Sequence, residues 1–140
     1  MARQVQLTLI ALIVGFIGFF PVPATAKAVP RNETQRCPKF EPLFEKYGLF
    51  PVDTFSYIAW RESRCRIKAI NALWDADGNM VWSLNKNGTW DSGLLQINSG
   101  HRENVKKVCK GDLDRLMMLD CNLRMAKFLL DNGGLRHWGF

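Results

Sequence analysis

The sequence predicts an α+β fold, mostly α-helical, with a small β-ribbon forming one wall of a cleft. Three observations predict it. Apolar residues recur at helical spacing early in the chain (Phe40, Leu43, Phe44, Tyr47) and late in it (Leu119, Leu123, Ala126, Leu130). Between them, over residues 71–98, that period gives way to strand-like runs divided by turn residues, Asp77-Gly78 and Asn87-Gly88 among them. Four cysteines, Cys37, Cys65, Cys109 and Cys121, come after an apolar leader, as in small exported domains tied by disulfides.

The leader comes first. Arg3 gives a positive start, residues 5–20 are a nearly unbroken apolar run, Pro21-Val22-Pro23 breaks it, and Ala24-Thr25-Ala26 is a small-x-small site. This is the pattern of a secretory signal peptide over residues 1–26. The rival is an uncleaved membrane anchor, but a spanning helix needs about 20 apolar residues and this run is shorter. Residues 27–36 read as a flexible polar lead. The remainder, 37–140, has the length of one domain with one core.

The helical elements are taken in chain order. Residues 38–47 read as a short helix in which Pro38 suits the first turn and Pro42 confines or kinks the helix. Gly48 ends it. Asp53 is placed to cap a second helix over roughly 54–64, whose apolar face is Phe55, Ile58 and Ala59. The same spacing carries Glu62 onto that face, at i+7, i+4 and i+3.

The middle reads as one hairpin. Residues 75–79 form a turn, 80–84 a strand, 85–88 the hairpin turn, and Thr89 begins the returning strand toward Ile97. Asp75-x-Asp77-Gly78-Asn79 begins like a calcium loop, but the twelfth position is Lys86, where that loop needs a Glu. Helical patterns then return: a short basic stretch over 101–109, a further turn over 112–117, and a long helix from Leu119 that Gly133-Gly134 stops. Leu135, Trp138 and Phe140 are expected to pack back on the core, and Met117, Met118 and Met125 to fill it.

Four cysteines allow three pairings. If the first two helices form an antiparallel hairpin, Cys37 at the start of one lies near Cys65 at the end of the other. That predicts Cys37–Cys65 and leaves Cys109–Cys121. Zinc is disfavoured, because there is no CxxC pair and His101 and His137 lie far apart in the sequence. No metal and no cofactor is expected. The formal net charge is +6, of which the leader holds only Arg3. Basic charge favours polyanions: nucleic acid, anionic membrane or an acidic wall polymer. Export argues against nucleic acid. Asn32-Glu33-Thr34 and Asn87-Gly88-Thr89 match the glycosylation sequon, a pattern short enough to arise by chance.

The chemistry concentrates in Trp90-Asp91-Ser92-Gly93-Leu94-Leu95-Gln96-Ile97-Asn98-Ser99. Asp91 is an acid, Gly93 lets a backbone pass close to a neighbour, and Gln96 and Asn98 carry donors and acceptors together, as sugar hydroxyls and acetamido groups require. Glu62 is the second acid. A carboxyl on an apolar face is either paired with Arg or backbone donors, or kept protonated as a general acid. Two separated acids can do glycosidic chemistry. Trp82 and Trp90 are candidates to stack on sugar rings or to sit in the core.

Glu62-Ser63 at a helix end, a turn-rich insert and then the stretch from Asp91 to Ser99 together resemble the lysozyme-like superfamily. Within it the chain is similar to the soluble lytic transglycosylase (SLT-type) domain and, more distantly, to c-type lysozyme, over roughly residues 55–139. The Asp120-Cys121-Asn122-Leu123 entry to an apolar helix and the late Gly-rich turn with Trp138 add to the likeness. The resemblance implies a lysozyme-like catalytic domain over 37–140. It implies a peptidoglycan glycan strand as substrate, cut at the β-1,4 bond between N-acetylmuramic acid and N-acetylglucosamine. It implies Glu62 as catalytic acid and then base, with Gln96, Asn98, Trp90, Ser63 and Ser92 on the substrate side.

Asp91 divides two chemistries. In c-type lysozyme the matching Asp is the nucleophile or charge stabiliser of a retaining hydrolase, its carboxyl about 5–5.5 Å from that of the acid. In many lytic transglycosylases the substrate's own acetamido group attacks, and the product is a 1,6-anhydro sugar. Small secretion-associated transglycosylases also resemble this chain in having Asp before Gly-Leu-x-Gln-Ile-Asn. The spacing from Glu62 to Asp91 is longer than in c-type lysozymes, so the lytic transglycosylase is the favoured reading and the hydrolase the alternative. A non-enzymatic wall-binding module has no need of a carboxyl on an apolar helix face. The expected protein is an exported monomer, periplasmic or extracellular, with no nucleic-acid partner and a membrane contact only through an uncleaved leader.

Overall fold

The computed structural model describes residues 33–140, apart from 78 and 83. The expected signal peptide, the lead up to residue 32, and Asn32 of the first sequon lie outside the described residues. The described chain is mostly helical with two short antiparallel ribbons, an α+β arrangement dominated by helix.

A 3₁₀ turn, Pro38–Phe40, leads into helix α1, Glu41–Lys46. Pro42 falls in the first turn of α1, where no intrahelical partner exists for an N–H, so it starts the helix rather than kinking it. Gly48 ends it with φ +69°. Its N–H donates to the Glu45 carbonyl at 3.0 Å, and Leu49 N–H to the Phe44 carbonyl at 2.9 Å. Phe44 and Leu49 are both fully buried, so the left-handed cap closes over an apolar contact.

Helix α2 runs Val52–Ser63. It begins earlier than the sequence predicts. Pro51, not Asp53, occupies the capping position, and Asp53 lies in the first turn, where its carboxylate accepts from Thr54 N–H at 2.8 Å. A negative charge there still complements the helix dipole. Phe55, Ile58 and Ala59 face the core, as their spacing predicts. The Cys37–Cys65 disulfide ties the start of the first helical segment to the turn after α2, with Cα atoms 5.6 Å apart. Cys109–Cys121, at 5.4 Å, is the second bridge. Both pairings match the hairpin argument.

The middle differs from the predicted hairpin. Strand β1, Ala72–Trp74, pairs antiparallel with β2, Met80–Trp82. The turn between them closes because the Asp75 carboxylate accepts from Asp77 N–H at 3.0 Å and Asn79 N–H at 2.8 Å. Residues 85–89 also form a turn, with Asn85 N–H on the Thr89 carbonyl at 2.9 Å, but among the described residues it joins no strand pair. The single returning strand from Thr89 is instead β3, Asp91–Ser92, a tight turn over 93–96, and β4, Ile97–Asn98. Positive φ at Gly93 (+82°) and Gln96 (+48°) breaks that strand in two.

Helix α3, Arg102–Cys109, a 3₁₀ turn, Leu113–Met117, and helix α4, Leu119–Gly133, complete the helical part. The buried stripe of α4 is centred on Asn122, Met125, Ala126 and Leu129, with Leu119 and Leu130 at its partly buried margins. Met125 fills the core. Met118 does not: it is 51% exposed in the link between the 3₁₀ turn and α4. Beyond Gly134 the chain returns, and Trp138 lies edge-on to Phe55 with centroids 5.3 Å apart. Such aromatic pairs add about 0.5–1.5 kcal/mol beyond their burial. Among the described residues no helix is long and apolar enough to cross a membrane.

Candidate active site

The end of α2 and the Asp91 stretch, far apart in sequence, are joined by backbone. Arg64 and Cys65 both have positive φ, 51° and 62°, and turn the chain sharply off the helix. Residues 69–71 then run antiparallel to 91–93. Gly93 N–H donates to the Ala69 carbonyl at 2.7 Å, and Asn71 N–H to the Asp91 carbonyl at 2.8 Å, with a bridge between Ile70 and Ser92. Four of the five non-glycine residues with positive φ among the described residues, Arg64, Cys65, Asn71 and Gln96, flank this junction. Such conformations gather where surrounding structure over-determines them, often at functional sites.

The loop between β3 and β4 is clamped from two sides. Asn122, on α4, is fully buried. Its Oδ1 accepts from Leu95 N–H at 2.9 Å, and its Nδ2 donates to the carbonyls of Ser92 at 2.9 Å and Leu116 at 3.1 Å. A Cβ on Gly93 would fall 2.1 Å from Asn122 Nδ2 and 2.4 Å from the Leu116 carbonyl, so only glycine fits. Trp138 Nε1 donates to the Leu95 carbonyl at 3.0 Å. Sequence reasoning missed both clamps as site-forming residues. The one available signal was a polar Asn in the middle of an apolar helix stripe.

Asp91 sits half-buried in a cradle of amides. Asn98 Nδ2 donates to its Oδ1 at 2.8 Å and Asn85 Nδ2 to its Oδ2 at 2.9 Å. Its backbone N–H donates to Asn71 Oδ1 at 2.6 Å. Asn98 is itself fixed: its Oδ1 accepts from Gly100 N–H at 2.8 Å, and its Nδ2 also reaches Thr89 Oγ1 at 3.0 Å. Trp90 leans on the core, partly buried, with its backbone N–H on Ser99 Oγ at 3.1 Å.

Glu62 lies in line with Phe55, Ile58 and Ala59, yet its side chain is 28% exposed. The helix face that is buried along most of α2 therefore opens to solvent at its last turn. Arg61 donates to Glu62 Oε1 through Nε at 2.9 Å and through Nη2 at 2.5 Å. Arg61 also donates to the Trp138 carbonyl and lies over the Phe140 ring at 4.9 Å. Of the two readings of a carboxyl on this face, the Arg-paired one is the geometry found.

The other expected contacts divide. Gln96 turns its amide inward, with Nε2 on the carbonyls of Gly93 at 2.9 Å and Ala69 at 3.0 Å. Ser63 is fully buried; its hydroxyl donates to the Ala59 carbonyl at 2.8 Å and accepts from Arg66 N–H at 3.2 Å. Ser92 is buried against Asn122. These three hold the frame. Glu62, Asp91, Asn98 and Trp90, and Gln96 with them, keep part of their surface open to solvent. Among the described residues no group of three or more His, Cys, Asp or Glu is placed to hold a metal ion. No protein-family model matches the chain, and no curated protein matches it.

Proposed function

We propose that the protein is an exported, peptidoglycan-cleaving lytic transglycosylase with a lysozyme-like fold, acting on the β-1,4 bond between N-acetylmuramic acid and N-acetylglucosamine. The observation that supports this most is the pairing of residues 69–71 with 91–93, which ties the helix end bearing Glu62 to the strand bearing Asp91. It joins the two segments on which the resemblance to lysozyme-like enzymes rests. The two disulfides fit a periplasmic or extracellular location.

In this reading Glu62 gives its proton to the glycosidic oxygen as the acetamido oxygen of the muramic residue attacks C1. The resulting carboxylate then takes the proton of the C6 hydroxyl as that oxygen closes on C1, releasing the acetamido group and leaving a 1,6-anhydro sugar. An ion-paired carboxylate has no proton to donate. The acid step therefore requires the Arg61–Glu62 pair to open, and Arg61 has the Trp138 carbonyl and the Phe140 ring to hold it meanwhile.

One observation favours a second reading, a retaining hydrolase. Asn85 and Asn98 fix the Asp91 carboxylate while leaving lone pairs for a nucleophile or for a cationic sugar. Mass spectrometry of fragments released from purified peptidoglycan separates the two. Anhydro-muropeptides, absent with Glu62→Gln, support the transglycosylase. Reducing ends carrying one added water support the hydrolase. Binding to the wall without any fragment reduces the protein to a wall-binding module.

A further inference from the structure

His101 and His137 are the only histidines in the chain, and their distance in sequence is what argued against a metal. The fold brings them together. Their ring centroids are 5.9 Å apart, with planes at 74°. His101 ends the 3₁₀ turn Ser99–His101, whose cap is Asn98. His137 belongs to the 3₁₀ turn Gly134–Trp138. The first turn adjoins the residue that orients Asp91, and the second contains the residue that holds Leu95 and Arg61. His101 is partly exposed and His137 exposed, so a hydrated ion can reach both.

We propose that His101 and His137 form a two-imidazole site for a borderline divalent cation of the zinc class, with water completing its shell, and that the ion clips together the two turns that brace the site. Imidazole nitrogen binds zinc at about 2.0–2.1 Å, which places the centroids of two rings on one ion roughly 5–6 Å apart. The observed separation of 5.9 Å lies within that range. Ligand chemistry selects the ion: imidazole suits zinc, copper(II) and nickel(II), while magnesium and calcium want oxygen. Two protein ligands leave the remaining positions to water, so the ion exchanges readily.

The ligand must be neutral imidazole. Partial desolvation, and then the neighbouring His101 and Arg136, hold His137 below the ordinary histidine range. Arg136 also opposes any cation and keeps the site modest in affinity. Gly133 gives the His137 ring its room: a Cβ there would fall 2.2 Å from His137 Nε2.

The test needs no activity and does not depend on the glycosidase reading. Zinc chloride is titrated calorimetrically into tag-free protein with both disulfides intact, and Tm is followed with and without zinc. Saturable 1:1 binding and a zinc-dependent rise in Tm are expected, both lost in His101→Gln and in His137→Gln and weakened in Gly133→Ala. Copper(II) added to the wild type should show two nitrogen ligands by electron paramagnetic resonance, a readout that holds even where a variant does not fold. Absence of saturable binding, binding that survives both histidine substitutions, or a copper spectrum without two nitrogens overturns the site.

Discussion

The strand end that carries Asp91 and the helix end that carries Glu62 are built in opposite ways. Asp91 has an amide on each carboxylate oxygen, and the donors, Asn85 and Asn98, are neutral. Asn98 is pinned in turn by Gly100 and Thr89. Among the described residues the Glu62 carboxylate is held by the Arg61 guanidinium, which binds a single oxygen and is 32% exposed itself. That partner has other anchors within reach. A carboxylate fixed by neutral dipoles contributes shape and a constant field. One held by a cation with other anchors can change partner, and the proposed mechanism needs that freedom for proton transfer.

The largest expected effect falls on the movable acid. Glu62→Gln keeps the size and the Arg61 contact but removes the proton donor, so wall-cleaving activity should fall by about 10²–10⁴ with the Tm little changed. Turbidity clearance near wild type would break the comparison at its root. Next comes the frame. Asn122→Ala strands three buried backbone groups, and each unsatisfied group costs about 1–3 kcal/mol, so urea unfolding should show a loss of at least about 3 kcal/mol. A loss below about 1 kcal/mol would mean that water or relaxation replaces the clamp.

Asp91→Asn sharpens the contrast. The new amide must turn an NH₂ toward one of the two donors, Asn85 or Asn98, so one hydrogen bond is lost. If Asp91 only orients and polarises, activity should fall roughly tenfold, the size of one misplaced hydrogen bond. A fall as deep as that of Glu62→Gln would make Asp91 a nucleophile and favour the hydrolase. The same variants on purified peptidoglycan, read by product mass, tie the kinetic result to the chemistry.

The helices, both disulfides and the position of the candidate loop were legible because they rest on local rules. Phe55, Ile58 and Ala59 announce their face by spacing, and Cys37 meets Cys65 because a helical hairpin has its ends together. The ribbons were misread for a physical reason. Asn87-Gly88 is the stronger hairpin signal by type, yet the Asp75 side chain captures two backbone N–H groups and closes the chain earlier. Asn122 was invisible as a clamp, because a lone Asn in an apolar stripe does not say which backbone it will meet. The His101–His137 contact was hidden likewise: it depends on where the chain returns after Gly134, which no window of sequence contains. The face of α2 was legible at Glu62, but the opening of that face depends on what does not pack against its last turn.

The smallest expected effect is at Arg61, and it tests the mobile half of the comparison most directly. The pair with Glu62 is part-exposed, exposed ion pairs contribute about 0–1 kcal/mol, and the Trp138 carbonyl contact adds about 1 kcal/mol, so Arg61→Gln should cost at most about 2 kcal/mol of stability. The introduced amide can still donate one hydrogen bond to Glu62, so activity should stay within about tenfold of wild type, since a single such contact is worth about 1 kcal/mol. The change should appear in kcat rather than in KM if Arg61 only sets the carboxylate's position. A collapse of activity equal to that of Glu62→Gln would give the guanidinium its own contact with the reacting sugar. Glu62 would then be a fixed member of a charged pair, and the contrast with Asp91 would fail.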